Sequence, residues 1–423
     1  MASRTDYQSI AETSGLSNPG AAQKLEETYK KSKSASGRFI AALTIYALLG
    51  LGLSSVAFEK LRPIDFPVNT WTTWAISDFL KDDKKPDVVF LGSSLMLVPL
   101  DGVDADFTNK QIDASEHHKS LFFEDAYKKD TTQAVDSYNF ALPGEMPSDA
   151  YLITDFLLKA KKAPKVLVYG VGPRDFMDNL LPSPASTDPY RYLSRFGDLN
   201  SHAPLLMPDW QERLDFELTK LFYIYGQRGQ MALDMYRQVE SKLDQFFPRP
   251  DGVMSHEERV ALRRKLLPTY RPMQVNKKEC YFRPIKDSER PAFQDNIDEY
   301  RKRYKKLKMD TFNSQMTFLS DLIQIANSRG THVVLVAMPI TDINRQILSD
   351  KSWDLYNDSL KKLADNKQVT FYDMHATGKF QLKDFQDTVH LHSGGGAKLL
   401  AEIADLMSKD AACQKALHGE VHQ

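Results

Sequence analysis

The chain has 423 residues, of which 42% are hydrophobic and 26% charged, and its formal net charge is -1. A near-neutral balance argues against nucleic acid as the partner, because phosphate binding needs a basic face. The length asks for more than one structural unit, and the apolar share supplies a large core. Cys280 and Cys413 are too few for a disulfide framework, and a single bridge between them is left open. No Cys/His set has zinc-ligand spacing, and the adjacent His117 and His118 fall in a polar stretch that reads as solvated. No metal or other cofactor is expected.

Residues 1–38 are rich in Ser, Ala, Lys, Glu and Gly without hydrophobic periodicity, which predicts a disordered tail. Phe39–Phe58 follows, 20 residues without a charge. That length crosses the roughly 30 Å hydrocarbon core of a lipid bilayer as a helix. Lys24, Lys30, Lys31, Lys33 and Arg38 precede it, offset only by Glu26 and Glu27. The positive-inside rule then keeps the N-terminus in the cytoplasm and exports everything after Phe58. Ser55-Val56-Ala57 has the form of a cleavage site, but the apolar stretch is too long for an ordinary signal peptide. An uncleaved, single-pass signal anchor is the expectation. Residues 59–85 form a membrane-proximal linker, in which Trp71 and Trp74 either sit at the bilayer interface or pack on the domain.

Short apolar runs then alternate with helical patterns. The runs are Asp87–Gly92, Val135–Ala141, Lys165–Val171, His332–Met338 and Val369–Met374. Amphipathic stretches such as Asp149–Lys162 and Ser314–Ser328 lie between them. Continuous apolar strands separated by helices imply a parallel sheet covered on both faces. Five of them predict a doubly wound α/β fold of flavodoxin-like type, with its ligand outside the carboxyl ends of the strands. The connection after the third strand is too long for a structureless loop. Helical patterns at Trp210–Tyr225 and Gly229–Phe246 make residues 176–309 a mostly helical insertion. The basic-aromatic run Tyr300–Lys306 reads as a solvated helix face, with contact to an anionic polymer or lipid head groups as the alternative.

Two short motifs carry the chemistry. Val88-Val89-Phe90-Leu91 ends at Gly92-Ser93-Ser94, a serine at a strand-to-helix turn. Far downstream, Asp387-Thr388-Val389-His390 runs into Gly394-Gly395-Gly396, expected as a loop feeding a C-terminal helix over Ala397–Leu406. Serine, histidine and aspartate are the parts of an activated nucleophile, its base and the group that orients the base. Asp384 and His392 compete for the last two roles. Ser94 as an ordinary helix cap is the plain alternative.

The arrangement resembles the SGNH (GDSL-type) hydrolase superfamily over residues 86–175 and 310–410. Its membrane-anchored branch, which includes proteins of alginate O-acetylation and teichoic-acid D-alanylation, is the most similar. The resemblance implies that Ser94 is the nucleophile, with Asp387 and His390 completing a triad. It implies an oxyanion hole from the backbone N–H groups of Ser94 and Gly144, the latter in Asn139-Phe140-Ala141-Leu142-Pro143-Gly144. The family's oxyanion asparagine is missing, because Gly172 stands in its place within Gly170-Val171-Gly172-Pro173-Arg174-Asp175. Arg174 substitutes for it, holds an anionic substrate group, or pairs with a carboxylate. The implied function is acyl, above all acetyl, transfer to hydroxyls of an envelope or exported polysaccharide, with a membrane-bound O-acyltransferase as partner. The domain would then stand on the periplasmic or extracellular side of a bacterial inner membrane. An anchored carbohydrate esterase and an inactive scaffold in a secretion complex are the other readings.

Overall fold

The runs Val88–Gly92 (β1), Ser137–Asn139 (β2), Val166–Val171 (β3), His332–Ala337 (β4) and Val369–Asp373 (β5) form one all-parallel sheet. Each lies within two residues of its predicted ends. The strand order is β2-β1-β3-β4-β5, which is the flavodoxin-like doubly wound order. The computed structural model describes residues 36–53, 70–247 except 195, 196 and 198, 293–365 and 369–419, with short stretches between 249 and 270. Cys280 and the tail at 1–35 lie outside the described residues, and Cys413 is a buried free thiol.

The covering helices are Trp71–Lys81 (α1), Ser94–Thr108 (α2), Leu121–Thr131 (α3), Pro147–Phe156 (α4), Met309–Ser328 (α5), Asp350–Ala364 (α6), Ser393–Lys409 (α7) and Ala411–His418 (α8). Alternate strand residues point to opposite faces. Val88, Phe90, Val166, Val168, Val334 and Val336 enter a core shared with α2, α3 and α7. α4 and α5 pack together over the other face. Every residue of β1 and β3 is therefore buried. Each fully buried Val, Leu, Ile or Phe contributes about 1.5–3 kcal/mol relative to exposure, so this two-sided core fixes the strand ends that carry the site.

Two compact units divide the chain, one of residues 62–213 and 249–423, the other of residues 1–61 and 214–248. The first holds the sheet, so residues 176–213 of the expected insertion belong with it. Asn179 Nδ2 ties the two ends of the insertion by donating to the carbonyls of Arg303 and Lys306, at 2.6 and 2.7 Å. In α1, capped by Thr70, Trp74 is buried, which places it on the domain rather than at a bilayer interface.

Three expectations are corrected. His117 and His118 are not solvated. They are half-buried, pairing with Asp104 at 2.7 Å and Asp78 at 3.2 Å. Gly394–Gly396 do not form a loop but the first turn of α7, where a side chain on Gly396 would strike Pro99 and Val103. In Tyr300–Lys306, Tyr300 is buried and Arg303 pairs with Asp178, so this helix face is not wholly solvated.

The second unit contains the helix Ser36–Leu53, long and apolar enough to cross a membrane, whose side chains are almost all exposed. It starts close to the predicted span, and residues 54–58 lie outside the described set. The predicted helix Trp210–Tyr225 breaks at Phe222, where the backbone is extended, giving Trp210–Leu221 and Tyr223–Gly226. Arg228–Phe246 follows as one helix.

Candidate active site

β1 ends at Gly92, where φ is +145° and an added Cβ would lie 2.7 Å from the Gly170 carbonyl oxygen. Only glycine combines this backbone with so close an approach. The chain then turns through Ser93 into α2, with Ser94 as the first helical residue. Neither serine caps the helix through its side chain. The Ser94 hydroxyl points elsewhere, to His390 Nε2 at 2.8 Å.

His390 lies on the loop between β5 and α7. Its Nδ1 is 2.6 Å from Asp387 Oδ2. An ionised carboxylate only accepts, so the proton sits on Nδ1 and Nε2 is left to accept from Ser94. Asp387 Oδ1 accepts the backbone N–H groups of Val389 and His390, at 2.8 and 2.7 Å. Burial alone would raise the Asp387 carboxyl, but the imidazole and these two N–H groups hold it below its ordinary value. The loop is pinned at Thr388, whose carbonyl accepts from the Thr341 hydroxyl at 2.7 Å and whose hydroxyl accepts from Asn344 Nδ2 at 3.0 Å. The competitors are engaged differently. Asp384 pairs with Lys398 at 2.7 Å. His392 Nδ1 accepts from Gly394 N–H at 2.9 Å, and its Nε2 donates to the Lys383 carbonyl.

The loop after β2 reaches the same point. Leu142 N–H donates to the Gly92 carbonyl at 2.9 Å. Glu145 joins the two segments, its Oε1 accepting Gly92 N–H at 3.0 Å and its Oε2 accepting Leu142 N–H at 3.2 Å. Gly144 lies between them with φ +78°. The N–H groups of Ser94 and Gly144 have no protein acceptor among the described residues. Ser94 also stands at the positive end of a 15-residue helix.

Gly172 donates its own N–H to Asp175 Oδ2 at 2.8 Å. An added Cβ there would lie 2.5 Å from Leu95 Cδ1, so Leu95 fills the space an asparagine side chain would need. Arg174 pairs with carboxylates, Nε with Asp178 at 3.0 Å and Nη1 with Asp175 at 3.4 Å. Its Nη2 lies 3.3 Å from where a Cβ on Gly144 would be. Gly144→Ala therefore meets both the left-handed backbone cost of about 1–2 kcal/mol and the guanidinium. A melting-point drop together with a fall in ester turnover is the expected result. Full activity would separate Gly144 from the site.

Glu145, Asp149 and Asp175 are buried, the two aspartates close to Arg174. Burial, reinforced by Asp149, pushes Glu145 well up. Burial also raises Asp149 to about 7 and Asp175 to about 6, against the lowering pull of Arg174 and of hydrogen bonds. The Ser93 hydroxyl lies beside Asp175 without reaching hydrogen-bonding geometry. Both aspartates hold protons more tightly folded than unfolded, so unfolding releases protons. Stability is full below the unfolded value of about 3.9 and is lost as pH rises through about 7. For Asp149 that loss is on the order of 4 kcal/mol. Asp149→Asn should flatten the fall in melting temperature between about pH 4 and pH 7. An unchanged slope would place the ionisation elsewhere.

Ser94, Asp387 and His390 are thus brought together, Gly144 is joined to them through Glu145, and Arg174 lies beside Gly144 in carboxylate pairs. Glu145 and Thr388 carry no sequence signal of their roles, because a loop acid or threonine reads as solvated. The chain matches no protein-family model and no curated protein sequence.

Proposed function

We propose that this chain is an SGNH-type serine acyltransferase, held at the outer face of a bacterial inner membrane by its N-terminal helix. Its substrates on this reading are an acyl donor, above all acetyl, and hydroxyls of an envelope or exported polysaccharide. The observation that carries the reading is the hydrogen-bonded series Ser94–His390–Asp387 at the carboxyl end of β1. That point neighbours the switch of strand order, where doubly wound sheets bind ligands.

His390 Nε2 takes the Ser94 proton as Oγ attacks the ester carbonyl. Asp387 holds the imidazole and stabilises the imidazolium that forms. The tetrahedral oxyanion is received by the N–H groups of Ser94 and Gly144. A missing third donor costs about 2.7–4 kcal/mol in acyl transfer, and the nitrogen of Arg174 beside Gly144 is placed to offset part of it. His390 returns the proton to the leaving alkoxide. A sugar hydroxyl, deprotonated by His390, then attacks the acyl-enzyme; the intermediate expels Ser94 Oγ, which takes the proton back from His390, and acyl transfer is complete. A membrane-bound O-acyltransferase would supply the acyl group from across the bilayer.

A hydrolase reading, an anchored carbohydrate esterase, rests on the openness of the site: the His390 side chain keeps 18% exposure, enough for water to compete. The test is to incubate the detergent-solubilised full chain with p-nitrophenyl acetate and acceptor oligosaccharides. Acetylated oligosaccharide supports transfer, and acetate alone supports the esterase. No turnover, with no fluorophosphonate adduct, would overturn both and leave an inactive scaffold.

A further inference from the structure

The helix Arg228–Phe246 is built inside out. Met231, Met235, Val239 and Leu243 recur every four residues, and Phe246 and Phe247 end the row. This spacing puts them on one face. That face is the exposed one, with Met235 at 65% and Phe246 at 76%. Among its residues of described burial, Asp234, Arg237 and Glu240, on other faces, are the partly covered ones. A helix facing water shows the reverse arrangement, and an exposed apolar stripe of this length marks a binding surface.

We infer that this stripe lies against the acyl chains of the bilayer that holds the N-terminal helix. The inference rests on reading Ser36–Leu53 as a membrane anchor. Both helices belong to one compact unit. The segment just before the amphipathic helix touches the apolar helix directly. A Cβ on Gly50, the one fully buried residue of that mostly exposed helix, would lie 3.2 Å from Phe222 Cβ. Tyr225 lies near Tyr46, about one turn earlier. A bilayer around the apolar helix is thus within reach of the stripe. Charge does not point to a protein or an anionic head group instead. Arg228, Arg237 and Lys242 are balanced by Asp234, Glu240 and Asp244, so the helix is neutral. Met, Val, Leu and Phe seated among acyl chains need no charge partner.

The test uses the full chain reconstituted in phosphatidylcholine vesicles that contain a phospholipid with a diazirine on its acyl chain. After irradiation, lipid adducts are mapped by mass spectrometry. Adducts are expected on residues 231–247 as well as within Ser36–Leu53, and the yield should not change when half the lipid is phosphatidylglycerol. The triple variant Met235→Asp, Val239→Asp, Leu243→Asp should lose the first set roughly ten-fold or more and keep the second. Its fold should be intact, because the three side chains are exposed; circular dichroism and labelling of Ser94 check this. Adducts confined to Ser36–Leu53 would overturn the inference and leave the anchor standing. Adducts on neither helix would overturn both. A strong preference for phosphatidylglycerol, or adducts unchanged in the triple variant, would also overturn it.

Discussion

Ser94→Ala is expected to lower turnover of an activated ester by roughly six orders of magnitude and to leave the melting temperature unchanged. The substitution removes both the attacking oxygen and the proton that His390 Nε2 accepts. Little stability goes with it, because the Ser94 hydroxyl has one side-chain partner among the described residues, the imidazole at 2.8 Å. That imidazole is partly open to solvent, so water can take the vacated place. The wild-type chain should form a single fluorophosphonate adduct by intact mass, and the variant none. Ser93 is the internal control. Its hydroxyl is buried and has no hydrogen-bond partner among the described residues, so Ser93→Ala should be neutral or slightly stabilising and should keep the adduct. An adduct that survives in Ser94→Ala and disappears in Ser93→Ala would move the nucleophile by one residue and sink the assignment.

Local patterns were the legible part of this molecule. Buried parallel strands read as unbroken apolar runs, so β1, β3 and β4 stand out from composition alone. Asp387 and His390 were legible for a similar reason. A three-residue separation lets the carboxylate accept both the ring and its own loop's N–H groups. What failed to show depends on contacts between distant segments. Glu145 matters because it reaches Gly92 across 53 positions of sequence while also holding Leu142. Nothing about a glutamate after Pro-Gly announces that. Gly394–Gly396 read as a turn because glycine runs usually do, yet these glycines let α7 approach α2 and the Asp384 backbone. Periodicity identified Gly229–Phe246 as a helix, but not that its apolar face is the uncovered one. Which face is covered is decided by the partner element, not by the helix.

Asp387→Asn probes the orienting group and is expected to lower turnover by about four orders of magnitude. Asn keeps the shape of Asp387 but not its acceptors. Its carbonyl oxygen would take over the N–H groups of Val389 and His390, now held at 2.8 and 2.7 Å. The amide NH2 would then face His390 Nδ1 and donate to it. Nδ1 becomes the acceptor, the proton moves to Nε2, and Nε2 donates to Ser94 instead of receiving its proton. The fold should survive, because the two backbone hydrogen bonds are kept. Stability changes with pH in a defined direction. The folded Asp387 carboxyl is held below its ordinary value, so its stabilising contribution is present above about 3.9 and fades as pH falls through the folded value. The wild type should therefore be the more stable protein at neutral pH, and the gap should close in strong acid. Asp384→Asn is the matched control. It weakens a pair with Lys398 and does not touch the imidazole, so the rate should hold. A rate unchanged by Asp387→Asn but reduced by Asp384→Asn would reverse the two roles, and with them the reading of His390 as a base set by the carboxylate three residues before it.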